Sequence, residues 1–166
     1  MRFLKLGLIS VIVIFLILTA MGFLLPAEVL VSRAVDIRGN LRGVKAQVFQ
    51  LQNWQNWMTD AAGNKTTYTY NRRNSELRIA GTTVRPVSLT DSSFITEWTA
   101  GKGMLCTLRI IDHHRSDSLL TVQWQMEQRL NWYFWEKFAA ITRDEIWGAS
   151  MEKSLENLRT LTEISQ

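Results

Sequence analysis

The first apolar stretch of the chain has no period. From Leu6 to Leu25 (LGLISVIVIFLILTAMGFLL) 20 residues pass without a charge. At about 1.5 Å per residue a helix of that length covers about 30 Å, the hydrocarbon thickness of a bilayer. Pro26 stops it, having no amide hydrogen and restricting the residue before it. A cleaved signal peptide is the competing reading, and Ala20-Met21-Gly22 has the small-x-small form of a cleavage site. The apolar core of such a peptide, however, runs to only about 7–15 residues. The longer run predicts a retained transmembrane anchor over residues 1–25 and one folded domain over 26–166.

Beyond Pro26 the pattern acquires a period of two. Val29, Val31, Val35 and Ile37 alternate with Glu28, Ser32 and Asp36, which predicts a strand. Gly39-Asn40 breaks it, and Asn40 suits a helix N-cap. Leu41, Val44, Val48 and Leu51 then recur at helical spacing, predicting a helix from Leu41 to Asn53. After loop material around Asp60 and Asn64 the period returns to two, through Tyr68 and Tyr70, Leu77 and Ile79, then Phe94, Thr96 and Trp98. A weaker run from Val84 to Leu89 contains Pro86, the sign of an edge strand or a bulge. Met104, Cys106, Leu108 and Ile110 alternate next. Leu120, Val122, Trp124 and Met126, set against Thr121, Gln123, Gln125 and Glu127, make the clearest half-buried strand. Turn-forming clusters separate these runs, as in the hairpins of an antiparallel meander. Helical spacing comes back in Ile146, Met151, Leu155, Leu158 and Leu161, predicting a long helix from Arg143 to Glu163. Asp144 and Glu145 suit its positive N-terminal end. The class is α+β: an antiparallel sheet needs one face covered, and the last helix is the cover.

Charge sets a topology and removes one class of partner. Arg2 and Lys5 precede the apolar run and favour a cytoplasmic N-terminus. Arg33, Arg38, Arg42 and Lys45 follow it, but they fall in the domain, and domains translocate largely regardless of charge. The chain is therefore expected to cross once, with its domain on the non-cytoplasmic side, the periplasm in a bacterium. The formal net charge of +4 includes Arg2 and Lys5 and falls to +2 beyond them, with no basic run or binding motif. That excludes a nucleic-acid footprint. Cys106 is the only cysteine, so no internal disulfide forms, and its apolar alternation predicts a buried, inert thiol.

The order of elements resembles the START-like, polyketide cyclase/dehydrase (SRPBCC) superfamily, and within it the bacterial subset in which a transmembrane helix precedes the domain. The residues that carry the likeness are Leu25-Pro26 and the opening strand from Val29 to Ile37. Val44, Val48 and Asn53 with the Trp54-x-x-Trp57 corner, then Met151 to Leu155 and Asn157 to Arg159 in the last helix, extend it. Two positions depart from that pattern: Gly39-Asn40 replaces a small-residue–proline pair, and Ser154 stands where a glycine is usual. The resemblance implies a helix-grip fold, a sheet wrapped around the C-terminal helix with a cavity between them. It implies binding of a hydrophobic small molecule or lipid, or a cyclase-like enzyme acting on one. A domain with a filled core that only binds partners is the third reading.

Catalytic motifs are not evident. No phosphate-binding glycine loop, nucleophile elbow or metalloprotease helix occurs. His113-His114 is the only histidine pair, in a turn where adjacent side chains point apart, so no metal ligand set and no catalytic residue is assigned. No cofactor is expected. Glu97 and Glu127 fall on faces opposite the aromatic residues of their strands. Tryptophan is frequent, at seven positions. Trp54 and Trp57 are expected to cap the end of the first domain helix. For the aromatic segment from Trp132 to Phe138, which contains Lys137, the resemblance implies a short helix before the last one, with contact at the water–lipid boundary as the alternative. The cavity candidates are the inward strand positions Tyr68, Tyr70, Leu77, Ile79, Trp98, Leu108, Val122 and Trp124, facing Met151, Leu155 and Leu158. A tryptophan at Leu155 is expected to block ligand uptake. The partners expected are the lipid bilayer and a hydrophobic ligand.

Overall fold

The computed structural model describes residues 2–60, 62–100, 102–113, 119–131 and 133–164. Helix α1 (Arg2–Leu24) comes first and is long and apolar enough, by length and composition, to cross a membrane. Strand β1 (Glu28–Arg38) leads to helix α2 (Leu41–Phe49) and a 3-10 turn over Leu51–Asn56. Then come β2 (Tyr68–Asn71), β3 (Glu76–Ile79), β4 (Thr82–Leu89), β5 (Ser93–Ala100), β6 (Lys102–Asp112) and β7 (Leu119–Arg129). Helices α3 (Phe134–Ile141) and α4 (Arg143–Ile164) close the chain.

All the strands join one antiparallel sheet in the order β1-β7-β6-β5-β4-β3-β2. Consecutive strands are neighbours from β2 to β7, and β1 returns to pair with β7 from Glu28↔Arg129 to Arg38↔Leu119. β7 shows why the alternation was readable: Leu120, Val122, Trp124 and Met126 are buried, and the residues between them are half-buried. Pro86 lies in an interior strand at a register shift toward Ser88, so it marks a bulge. The β3–β4 turn uses Ala80 (φ +46°) and Gly81 (φ +85°), the pair of positive φ values that a tight two-residue hairpin favours.

Helix α2 is capped as expected: Asn40 accepts from the Arg42 amide at 2.9 Å. It ends four residues before the expected Asn53, because Gln50 is extended (φ −112°, ψ 109°). That break rolls the chain into the 3-10 turn and buries Leu51 and Trp54. Side chains then take the carbonyls that the helix end leaves free. Trp54 Nε1 donates to Val48 O (2.9 Å), Trp57 Nε1 to Gln47 O (3.2 Å) and Asn53 Nδ2 to Ala46 O (2.8 Å). Both tryptophans do cap the helix.

Helix α4 lies on the concave face and is tied down along both sides. On the β1 side Arg33, on the inward face with Val31, reaches across it. Arg33 Nε bonds Glu152 Oε1 at 2.6 Å, while Nη1 and Nη2 bond the Asp144 carboxylate at 3.2 and 3.3 Å. Those bonds, Asp144 first, raise the guanidinium pKa above its ordinary value. Gly148 leaves the room, since a Cβ there would run into the Arg33 guanidinium. On the opposite side Ser154, fully buried, accepts from the Thr59 amide (3.0 Å) and donates to its carbonyl (3.3 Å). Ser150 Oγ donates to the same carbonyl at 2.9 Å. The hydroxyl at 154 therefore stitches the helix to the loop after the 3-10 turn.

Candidate functional site

The space between sheet and helix is filled at one end and open at the other. At the closed end Ile37, Val44, Val48, Leu108, Leu120, Val122, Leu155 and Leu158 are at most 2% exposed. At the other end, where β7 finishes and α4 begins, lies a cavity of about 430 Å³. Its walls are strand residues Ile79, Trp98, Met104, Trp124 and Met126, with Met151 from α4. Met58, Thr59 and Tyr68 close one side, and Gln128, Arg143 and Trp147 the other.

The polar atoms of the aromatic wall are already engaged. Trp124 Nε1 donates to Cys106 Sγ (3.0 Å), Trp98 Nε1 to Thr96 Oγ1 (3.1 Å), and Tyr68 Oη to Met58 O (2.8 Å). These rings thus present apolar surface to the cavity. Burial raises the pKa of the Tyr68 phenol, so it stays protonated at neutral pH. Behind the wall Trp54 and Trp57 join the two indoles into one cluster, with centroids 6.2 Å from Trp98 and 5.7 Å from Trp124. Cys106 is buried beneath, its thiol pushed up to about 12 by desolvation.

Arg143 gives the cavity its cationic group. Its guanidinium stands 5.6 Å from the Trp147 ring centroid, and Nη1 donates to Gln128 Oε1. Asp60, also at the rim, is turned to its own loop: it accepts from the Asn64 amide (2.8 Å) and from Asn64 Nδ2 (3.2 Å). Those bonds, the amide first, hold its pKa below the usual carboxylate value.

Of the cavity candidates read from sequence, Tyr68, Ile79, Trp98, Trp124 and Met151 line the open end. Leu108, Val122, Leu155 and Leu158 face inward but sit in the filled end, each at most 1% exposed. A tryptophan at 155 would therefore overpack, at about 1–3 kcal/mol, instead of plugging a cavity. Tyr70 and Leu77 share the inward face but border a second, mostly polar depression of about 480 Å³ beside the 3-10 turn, which Tyr68 also lines. Met104, Met126, Gln128, Arg143 and Ser150 were not singled out. Gln128 carried a signal, since it continues the inward alternation of Trp124 and Met126; Arg143 carried none beyond its place at a helix start.

The histidine pair does not join the site. His113 is exposed and its Nε2 lies 2.9 Å from Thr121 Oγ1 on the outer face of the sheet; His114 lies outside the described residues. Glu97 is exposed and Glu127 half-buried, both on the outer face. Among the described residues no cluster of acidic, histidine or cysteine side chains could hold a metal. Trp132 lies outside the described residues, and Phe134 to Phe138 open α3.

No protein-family model matches the chain, and no curated protein matches it in sequence. Solved structures do match in shape. Protein XoxI from Bacillus cereus superposes with a TM-score of 0.61 at 11% identity, over 83% of this chain and 99% of that one. A START superfamily protein from Mycobacterium smegmatis gives 0.59 at 9% identity, over 83% and 99%. The di-domain ARO/CYC StfQ from the steffimycin biosynthetic pathway gives 0.59 at 8% identity, over 84% of this chain and 52% of that one. At such identities the likeness is one of fold, and that fold is the START-like helix grip.

Proposed function

Starting from a START-like grip that is open at one end, we propose a membrane-anchored binding domain that holds a hydrophobic small molecule or lipid between its sheet and α4. The cavity carries this reading: about 430 Å³, walled by indole, thioether and aliphatic groups, with a few polar groups at the rim. Small-molecule sites are of this size and composition, about 300–1,000 Å³ and mostly apolar.

A buried amine supports α1 as a retained anchor. Lys137 on α3 is 7% exposed, and its Nζ donates to Gly22 O (2.8 Å) and Leu25 O (3.0 Å) at the end of α1. A cation suits the free carbonyls and negative end of a helix. Gly22 also lets α1 approach α3, since a Cβ there would lie 2.9 Å from Phe134 Cβ. Cleavage after Gly22 would take away one of the two acceptors and leave a buried charge poorly paired, which is costly. With Arg2 and Lys5 held in the cytoplasm the domain stands on the other side; a C-terminal alkaline-phosphatase fusion should be active, and an inactive one reverses the orientation.

The likeness to an ARO/CYC structure favours a second reading, a cyclase-like enzyme working in the same cavity. Lipid extraction and native mass spectrometry of the detergent-purified chain test the first. The wild type should carry a bound hydrophobic molecule, and Met126→Trp, which fills the cavity from the wall, should lose it while remaining folded by circular dichroism. An empty wild type that also takes up no added ligand overturns the binding reading. Recovery of a chemically altered ligand after incubation moves the protein to the enzyme class.

A further inference from the structure

The polar end of the ligand can be read from Arg143, the one cation among the described residues of the cavity wall, an inference that rests on the binding reading above. Arg143 opens α4 and lines the cavity. Its two contacts are neutral: the Gln128 side-chain carbonyl and the face of Trp147. Among the described residues no carboxylate pairs with it, whereas Arg33, Arg85, Arg129 and Arg159 each have one. The nearby acids are committed elsewhere, Asp144 to Arg33 and Asp60 to Asn64.

A guanidinium offers five N–H donors and accepts none. Gln128 is 6% exposed and takes a bond from Nη1, so it fixes the orientation of the fork. The guanidinium carbon lies over the Trp147 ring at 5.6 Å from its centroid, a cation–π distance. The remaining donors have the geometry that carboxylates and phosphates accept in pairs. Half-burial strengthens such a pairing over the same pairing at an open surface.

We infer that the cavity takes an anionic amphiphile, its apolar body against Trp98, Trp124 and Met126 and its carboxylate or phosphate on Arg143. Arg143 is here a ligand-binding residue, and Gln128 positions it.

Three probes that share one alkyl chain isolate the head group: dodecanoate, dodecyl phosphate and dodecanol. Each is titrated against the full chain by native mass spectrometry from detergent. The acids should bind about tenfold tighter than the alcohol, the scale of a hydrogen bond to a charged group. Comparison of the two acids shows which anion the site prefers. Arg143→Gln should erase the preference for the acids over dodecanol. Arg143→Lys should keep part of the preference, and Arg109→Gln on the exposed outer face should keep all of it. Equal binding of dodecanol and dodecanoate by the native chain overturns the proposal, as does an acid preference that survives Arg143→Gln. If none of the three probes binds, the cavity reading fails with it.

Discussion

The two ends of the grip are made from the same strands and the same helix, yet only one is filled. At the filled end α2 and the 3-10 turn close the sheet, and branched aliphatic side chains meet with no exposed surface. At the open end, among the described residues, Met58, Thr59, Asp60 and Thr66 border the space where α2 does not reach, and the wall is made of indoles and methionines. Large flat rings span the gap without interdigitating, and unbranched thioethers adapt to what enters. The difference teaches that side-chain shape, branched and aliphatic at one end, flat or unbranched at the other, decides how closely sheet and helix meet.

Truncations should expose this contrast most strongly. Leu158→Ala at the filled end should cost about 2–5 kcal/mol in urea unfolding, the transfer loss plus a new cavity. Met126→Ala should fall at or below the bottom of that range, because one side of Met126 already faces empty space and has few dispersion partners to lose. Equal costs would erase the distinction between the ends. Next in size is Arg33→Gln, which removes the tie between β1 and α4. Arg33 is 27% exposed and its partners are above 60%, so solvent screening holds the loss to about 1 kcal/mol or less. The loss should shrink further in 1 M salt, and one that does not would assign the effect to packing.

The smallest effect at neutral pH belongs to Cys106, at the junction of the two ends. Its folded pKa of about 12 exceeds the unfolded value near 9. The linked stability is therefore fully present below about pH 9 and is lost as pH rises toward 12, since only the unfolded thiol ionises in between. At pH 8 a thiol reagent should label Cys106 at the rate of unfolding. Faster labelling of the folded protein would show that the open end breathes down to the core.

Much of the fold was legible because alternation and helical spacing report the direction of side chains. β7 and α4 were read nearly to the residue for that reason. The end of α2 was not, because Leu51 continues the helical spacing of Val48 while belonging to a separate turn; the break lies in the backbone of Gln50. The site was half legible. Periodicity places Trp124 and Leu108 on the same inward face, but whether space is left beside them depends on contacts between elements far apart in the chain. Arg33 and Gln128 also fall on inward positions, where a polar residue breaks an apolar pattern. Those breaks point to the ties and to the rim.

Helix α4 is held on one flank by Arg33 across Gly148 and on the other by Thr59 on Ser150 and Ser154. A helix fastened along both edges resists sliding and rolling, so in the proposed binding domain α4 sets the bore of the cavity and the methionines of the wall supply what adjustment there is. Across a series of alkyl chains, affinity should climb with each added methylene, about 0.8 kcal/mol apiece, and then stop abruptly at one length. A lid that yielded would give a gradual plateau instead.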